Sequence, residues 1–367
     1  MLTAMKILFI ARRFPPSVGG MQRFAFDLAQ SLEAKEDMRR ITWGGSNKWL
    51  PIVIPVLFFR ALWRLTIDPS YTLLHIQDVL LSPVGWLLHV LSGKPFIVVA
   101  HGLDVTYENG LYQKVIPWFL RRASAIISIS QATADEVVKR GIKPERSHVI
   151  PLGIIDEFEN VPRDRKRVAA KLGMPELKDK KILLTVGRLM KRKGVAWFIY
   201  EVLLELTQQD PSILYLVVGE GSERKAIEAA IMKQGMQEYA RLLGEIDDEA
   251  RNLLYKNADI FVMPNIKVPG DMEGFGRVAH EAAVAGTTVV ASSLEGIADA
   301  LADGKNGILL PTGDKKAYIT KLAGLLGTPK KLEKFGTQAR TYTLKNFGWG
   351  SIAKRYLEIF RHLPGQK

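Results

Sequence analysis

The sequence predicts an α/β protein made of two successive parallel-sheet domains. Three observations carry that prediction. Short β-branched runs alternate with glycine-rich or polar turns and helix-periodic stretches, as strands linked by covering helices do. The alternation breaks once, in a charge-dense passage from Asp156 to Lys181, and then restarts. The length of 367 residues also exceeds what one hydrophobic core usually serves.

The elements follow in order. KILFI (Lys6 to Ile10) reads as a buried strand, because arginines follow it where a secretory signal would carry small residues. RRFPPSVGG then turns into a helix from Met21, in which Phe24, Leu28 and Leu32 recur on one face. YTLLHIQ (Tyr71 to Gln77), PFIVVAHG (Pro95 to Gly102), SAIISIS (Ser124 to Ser130) and SHVIPLG (Ser147 to Gly153) read as further strands, with a helix over Thr133 to Arg140. The charged passage holds a short helix, VAAKLGM, and the boundary, giving domains of 1–158 and 159–346. Strands then recur at ILLTVG (Ile182 to Gly187), SILYLVVGEG (Ser212 to Gly221), DIFVMP (Asp259 to Pro264), TTVVAS (Thr287 to Ser292) and GILLP (Gly307 to Pro311). Helices are expected over Gly194 to Thr207 and Asp247 to Ala258. The tail, Ser351 to Leu363, is an amphipathic helix with Ile352, Tyr356, Ile359, Phe360 and Leu363 on its apolar side.

Composition narrows the chemistry. The chain has no cysteine, which excludes disulfides, thiolate nucleophiles and thiolate-held metals, and fits a reducing compartment such as the cytoplasm. A net charge of +13 favours anionic partners: nucleic acid, anionic membrane or phosphorylated small molecules. No aromatic–basic recognition motif supports nucleic acid. The longest apolar run, Trp49 to Phe59, is eleven residues against the roughly 20 that span a bilayer, so no membrane span is expected.

Ligands of open parallel sheets bind at strand carboxyl ends, and this chain places its unusual residues there. Gly19 and Gly20 close the first strand's turn, where bare amides and a helix start suit an anion, although a tight strand-to-helix turn needs glycine too. GRLMKRKG, Gly187 to Gly194, sets Arg188, Lys191, Arg192 and Lys193 beside a helix start. The helix dipole disfavours cations there, so a bound anion explains them better than a solvated basic turn. Gly219 opens a further flexible turn. In DMEGFGRVAHEAAVAG, Glu273 lies on a loop and Glu281 about two turns into a helix, with the amides of Phe275 and Gly276 between. Such carboxylates can accept hydrogen bonds from sugar and ribose hydroxyls, although a pair of solvated glutamates fits the motif too, and their spacing is too wide for an acid/base pair sharing one bond. His101, in HGLD with Asp104, ends another strand. No compact set of His, Asp and Glu reads as a metal site.

These residues resemble a family pattern. PPSVGGMQRFAFDLAQSL, HGLDV, SISQAT, VIPLGI, VGRLMKRKG, VVGEG, NADIFVMP and EGFGRVAHEAAVAG run in the order found in retaining family-4 glycosyltransferases, and cover nearly the whole chain. The resemblance implies the GT-B fold, two Rossmann-like domains facing a central cleft, with the closing segment 347–367 packing back on the first domain. It implies a nucleoside-diphosphate sugar on the second domain and an acceptor site, of residues unknown, mostly on the first. Arg188 and Lys193 resemble the pair that neutralises the departing diphosphate, and Glu281 the ribose binder. Glu273 resembles the residue contacting the donor sugar, with Phe275 and Gly276 as positioning amides. Gly20 resembles an amide donor to the diphosphate, and His101 the histidine beside the transferred sugar. No metal or other cofactor is implied. Two departures stand out: Leu294-Glu295-Gly296 where the family often has paired glycines, and Leu152 in place of a more common asparagine.

MPNIKVPGDMEGFG looks most like mannosyltransferases using GDP-mannose, although UDP-sugar enzymes share the core residues. A glycan or lipid-linked glycan is the expected acceptor. WLPIVIPVLFFRALWRL and LYQKVIPWFLRRAS mix apolar and basic character, which suits either peripheral contact with an anionic membrane or core-facing helices with arginines reaching outward.

Overall fold

The computed structural model describes residues 5–363, so the expected domain ends 1–4 and 364–367 lie outside it. The first sheet comprises β1 (Lys6–Ala11), β2 (Asp37–Thr42), β3 (Leu73–Ile76), β4 (Phe96–Ala100), β5 (Ala125–Ser128) and β6 (Ser147–Val149), in the order β2-β1-β3-β4-β5-β6. The second comprises β7 (Lys181–Val186), β8 (Ile213–Val218), β9 (Ala240–Gly244), β10 (Ile260–Met263), β11 (Thr288–Ser292) and β12 (Ile308–Leu310), in the order β12-β11-β10-β7-β8-β9. Every pairing is parallel. The chain winds away from β1 in one direction and from β3 in the other, and likewise from β7 and β10. Between such strands the connecting loops part and leave a crevice at the carboxyl ends.

Interior strands such as β3, β4, β5, β8 and β10 are buried throughout, which is why they stand out as apolar runs. Two edge strands escape the sequence reading. β2, DMRRIT, buries only Met38 and Ile41, and β9, ARLLG, is only half-buried over its middle. Charged, partly wet edge strands carry no continuous hydrophobic signal. The helix expected after β7 forms, with a π-helical turn at Ile199–Leu203 between Val195–Phe198 and Leu204–Gln209.

The chain divides into two compact units, Met1–Gly153 with Phe347–Lys367, and Ile154–Asn346. The division thus falls ahead of the charged passage in which the sequence places it. Residues at the start of that passage are tied into the second unit: Arg340 Nη1 donates to Asp156 Oδ1 at 3.2 Å, and Phe158 meets the Tyr255 ring edge-on at 5.7 Å. The tail helix Trp349–Arg361 belongs to the first unit, where it buries Ile352, Tyr356 and Phe360. Its Trp349 ring lies 5.6 Å from Phe24, and a Cβ on Gly153 would sit 2.3 Å from that indole. Only glycine lets the chain pass there.

The segment Asn47–Ile67 forms 21 continuous helical residues, by length and composition alone long and apolar enough to cross a membrane. This corrects the expectation drawn from the eleven uninterrupted apolar residues, because Arg60 and Arg64 interrupt the run without ending the helix. Here its Val53, Leu57, Ala61 and Leu65 stripe is buried in the core of the first unit.

Candidate active site

The second unit's switch point gathers two loops, Gly187 to Gly194 after β7 and Pro264 to Gly276 after β10. They are pressed together: Gly194 takes φ 64°, and a Cβ there would lie 1.9 Å from the Pro264 carbonyl oxygen. A side chain at 194 would force the loops apart.

Their contact aligns a charge network on one carboxylate oxygen. Lys193 Nζ donates to Glu273 Oε2 at 2.6 Å, Asn265 Nδ2 at 3.2 Å and Arg192 Nε at 3.4 Å. Arg192 Nη1 also donates to Asp271 Oδ1 at 2.6 Å. Glu273 Oε1 has no donor among the described residues. Burial pushes the Glu273 carboxyl up, but Lys193 and Arg192 outweigh it and hold the group below its usual range. Burial works against the Arg192 cation in the same way, and Glu273 and Asp271 hold its pKa above the ordinary value.

The backbone around Glu273 is fixed as firmly. Its amide donates to Glu295 Oε2 at 2.6 Å, while Gly296 N donates to the Glu273 carbonyl at 3.1 Å. Glu295 takes φ 47°, the one positive φ outside glycine among the described residues, a strained geometry held by this reciprocal pair. Burial, then the neighbouring Glu273 charge, pushes the Glu295 carboxyl up. The next amides, those of Gly274, Phe275 and Gly276, have no acceptor among the described residues. They lead into the helix Arg277–Ala285, whose positive end adds to their attraction for an anion.

Glu281 lies on that helix with separate partners. Tyr255 Oη donates to its Oε2 at 3.0 Å, and Arg277 Nε lies 3.3 Å from Oε1. Burial and the Glu281 charge push the Tyr255 phenol far up, so it remains a hydrogen-bond donor. Arg188 is exposed, and its side chain has no partner among the described residues. Gly187 and Gly219 stand at the ends of β7 and β8, Gly187 N donating to the Val218 carbonyl at 3.0 Å.

The first unit, taken by itself, furnishes its switch point differently. Arg12 beyond β1 and Asp78 beyond β3 form a buried pair, with Nε 3.0 Å from both carboxylate oxygens. His101, beyond β4, is half-buried; its Nε2 lies 2.9 Å from the Gln77 carbonyl, which can only accept, so Nε2 carries the proton. Its amide donates to Asp104 Oδ1 at 2.8 Å, and burial pushes that carboxyl up. The Gln77 side chain is buried, and neither amide atom is hydrogen-bonded among the described residues. Gly19 takes φ 151° just before the helix Gly20–Glu33, and Arg23 N donates to its carbonyl at 3.0 Å.

Of the residues singled out from sequence, Lys193 and Glu273 touch, with Phe275 and Gly276 following on the same loop. Glu281 and Arg188 stand apart from that network, and Gly19, Gly20 and His101 belong to the other unit. Asn265 and Asp271, which complete the network, went unnoticed. The available signal was Asn265's position just beyond β10, at the same sheet edge as Lys193.

Residues 170–342 match the family described as Glycosyl transferases group 1, and residues 18–158 match Glycosyltransferase Family 4. The chain belongs to the family-4 glycosyltransferases. This transferase is 29% identical over 311 residues to D-inositol 3-phosphate glycosyltransferase 2 of Catenulispora acidiphila, covering 79% of this chain and 70% of that protein. It is 27% identical to the phosphatidyl-myo-inositol mannosyltransferase of Mycobacterium leprae, over 93% of this chain and 92% of that protein. Among solved structures, Anabaena HepE in complex with UDP superposes with a TM-score of 0.76 at 20% identity, covering 98% of the transferase and 100% of HepE. The two parallel sheets and this likeness make the fold GT-B.

Proposed function

We propose that this glycosyltransferase moves a hexose, mannose in the first instance, from a nucleoside-diphosphate sugar to a hydroxyl of a glycan or glycolipid, with retention at the anomeric carbon. The observation that carries the reading is the Glu273 network. Three donors hold Oε2, and Oε1 is left as an ionised acceptor suited to a sugar hydroxyl. The open amides of Gly274, Phe275 and Gly276 suit sugar or phosphate oxygens.

Glycosyl transfer develops positive charge at the anomeric carbon and negative charge on the leaving diphosphate. Arg188, free to turn onto an incoming ligand, and Lys193, already charged and fixed, stabilise the diphosphate without a metal. Glu281 accepts from the ribose hydroxyls, with Tyr255 and Arg277 fixing its orientation. Gly187 and Gly219 give the nucleotide a close approach to the strand ends. For the first unit's Gly19, Gly20 and His101 the support is the family resemblance: amide donors to the diphosphate for the glycines, a partner of the transferred sugar for the histidine. No carboxylate here is placed as a nucleophile, so attack from the front face is the favoured route to retention. The acceptor is reached on the cytoplasmic side of a membrane.

A second reading replaces GDP-mannose with a UDP-sugar. It is favoured by HepE, which was solved with UDP and with UDP-glucose. The phosphatidyl-myo-inositol mannosyltransferase favours the first.

Titration calorimetry with GDP-mannose and UDP-glucose separates them. Preferential GDP-mannose binding, weakened on the order of tenfold or more in Glu281→Ala by loss of a charged hydrogen bond, is expected. UDP-glucose binding alone would keep the transferase and overturn the mannose assignment. If neither nucleotide sugar binds, the donor site itself is misplaced. Anomeric NMR of the product tests retention.

A further inference from the structure

Three helices of the first unit, Leu50–Ile67, Ser82–Ser92 and Gly110–Leu120, pack side by side over its sheet. On Leu50–Ile67 the buried stripe recurs every fourth residue, and a second apolar stripe faces away from it. In that outer stripe Phe59 and Trp63 are each 64% exposed. Val90 and Leu91 on the second helix and Leu111 on the third are exposed too. The layer is continuous, Trp86 and Trp118 meeting edge-on at 5.2 Å between the second and third helices. Scattered exposed leucines need no explanation, but an apolar field across three adjacent helices does.

The charge of this face identifies what covers it. None of the three helices contains an aspartate or glutamate, although the chain has 38. Arg60, Arg64 and Lys114 are exposed on them, and Arg121 and Arg122 follow the third; the carboxylates that flank the helices are the exposed Glu108 before the third and Asp68 after the first, which Lys6 neutralises at 2.8 Å. Arg122 lies 3.3 Å from the centroid of the Trp118 ring, a cation held over an aromatic face. A water-facing helix surface of an ordinary domain mixes both signs. Helices that present aromatic and aliphatic groups and basic residues, and carry no carboxylates of their own, are complementary to anionic headgroups above acyl chains. The inner stripe of Leu50–Ile67 is part of the unit's core, so the helix is suited to lie along the bilayer surface and not across it.

We infer that this three-helix face is a docking surface for an anionic membrane. The helices enter the headgroup region side-on, Phe59, Trp63 and Leu111 reach the acyl boundary, and the arginines engage lipid phosphates. The surface deepens the glycolipid-acceptor reading above, yet its test uses no sugar donor, so the two can fail separately.

The test is co-sedimentation of the full chain with phosphatidylglycerol/phosphatidylcholine vesicles and with phosphatidylcholine alone. Binding is expected to the anionic vesicles, weakening as salt rises. Arg60→Glu with Arg64→Glu should reduce it on the order of tenfold or more. Phe59→Asp with Trp63→Asp should abolish it, and Leu111→Asp, on a different helix, should weaken it independently. Because these side chains are exposed, thermal melting should be unchanged. If one variant melts early, the others and the quenching of wild-type tryptophan fluorescence by brominated lipids still decide. Equal sedimentation of wild type and all three variants, or no binding to anionic vesicles, would overturn the proposal. So would a wild-type dimer in sedimentation velocity that Phe59→Asp with Trp63→Asp makes monomeric, since the face would then join two copies.

Discussion

The two sheets share a winding scheme but load their switch points with different chemistry. In the second unit, Lys193, Arg192 and Asn265 crowd one oxygen of Glu273 and leave the other open, beside amides that have no acceptor among the described residues. In the first, Arg12 and Asp78 neutralise each other in a buried ion pair, Arg12 Nε donating to Oδ1 while Oδ2 has no hydrogen bond among the described residues, and His101 stands nearby with one ring nitrogen committed. Topology therefore dictates where a ligand can sit, and side chains decide whether that place is held open. Arg12 and Asp78 are a one-to-one pair shut in the interior, whereas the Glu273 carboxylate is held ionised beside open backbone amides and is poised to bind.

The largest effect should come from breaking the closed pair. Arg12→Ala leaves Asp78 buried without its cation and should cost roughly 3–5 kcal/mol in denaturant unfolding. The double replacement Arg12→Met with Asp78→Leu should recover most of that loss. If it does not, and nucleotide binding falls while stability holds, the pair is functional and the contrast between the units fails. Next comes the open network. Lys193→Ala should lower kcat on the order of 10²–10³-fold, as removal of a preorganised charge does, and Lys193→Arg should rescue poorly because a fork replaces a compact charge. Steady-state rates on the best donor decide this.

A smaller effect separates two buried histidines. Burial lowers His75 in the first unit to about 3 and His280 in the second to about 4, from 6.5. Below pH 6.5 the unfolded chain takes up protons that the native state refuses, so stability present above 6.5 is lost as pH falls toward those values. Among the described residues neither His75 ring nitrogen has a hydrogen-bond partner, and the ring stacks on Phe9 at 4.7 Å. His75→Phe should therefore flatten the acid slope, by up to about 2 kcal/mol at pH 5, without loss at pH 7.5. His280 Nε2 donates to the Ala300 carbonyl at 2.7 Å, so His280→Phe should cost stability at both pH values. Urea midpoints at the two pH values measure the difference. The smallest expected effect is that of a chelator: the proposed handling of the diphosphate charge by Arg188 and Lys193 predicts that EDTA changes the transfer rate less than about twofold.

The Glu273 network also shows how far the sequence reaches. Lys193 and Glu273 were legible because a basic turn and a glutamate loop each follow a buried strand. Asn265 and Asp271 were not, since a lone Asn or Asp in a loop looks the same whether it binds or merely turns. β2 and β9 were hidden because edge strands share their residues with water. The helix over Asn47–Ile67 outruns its apolar stretch because an arginine ends the stretch but not the helix.

By itself the sequence determined the alternation of strands and helices, and with it two parallel sheets whose carboxyl ends carry the unusual residues. Those features are local, written in periodicities of two and 3.6 residues. Only the tertiary structure decided that β7 and β10 are neighbours, which brings residues some eighty positions apart, Lys193 and Glu273, to 2.6 Å. It alone decided which oxygen of Glu273 is spent and which face of Leu50–Ile67 stays uncovered. Strand order and packing are long-range choices that local pattern does not encode, and the functional geometry of this transferase depends on them.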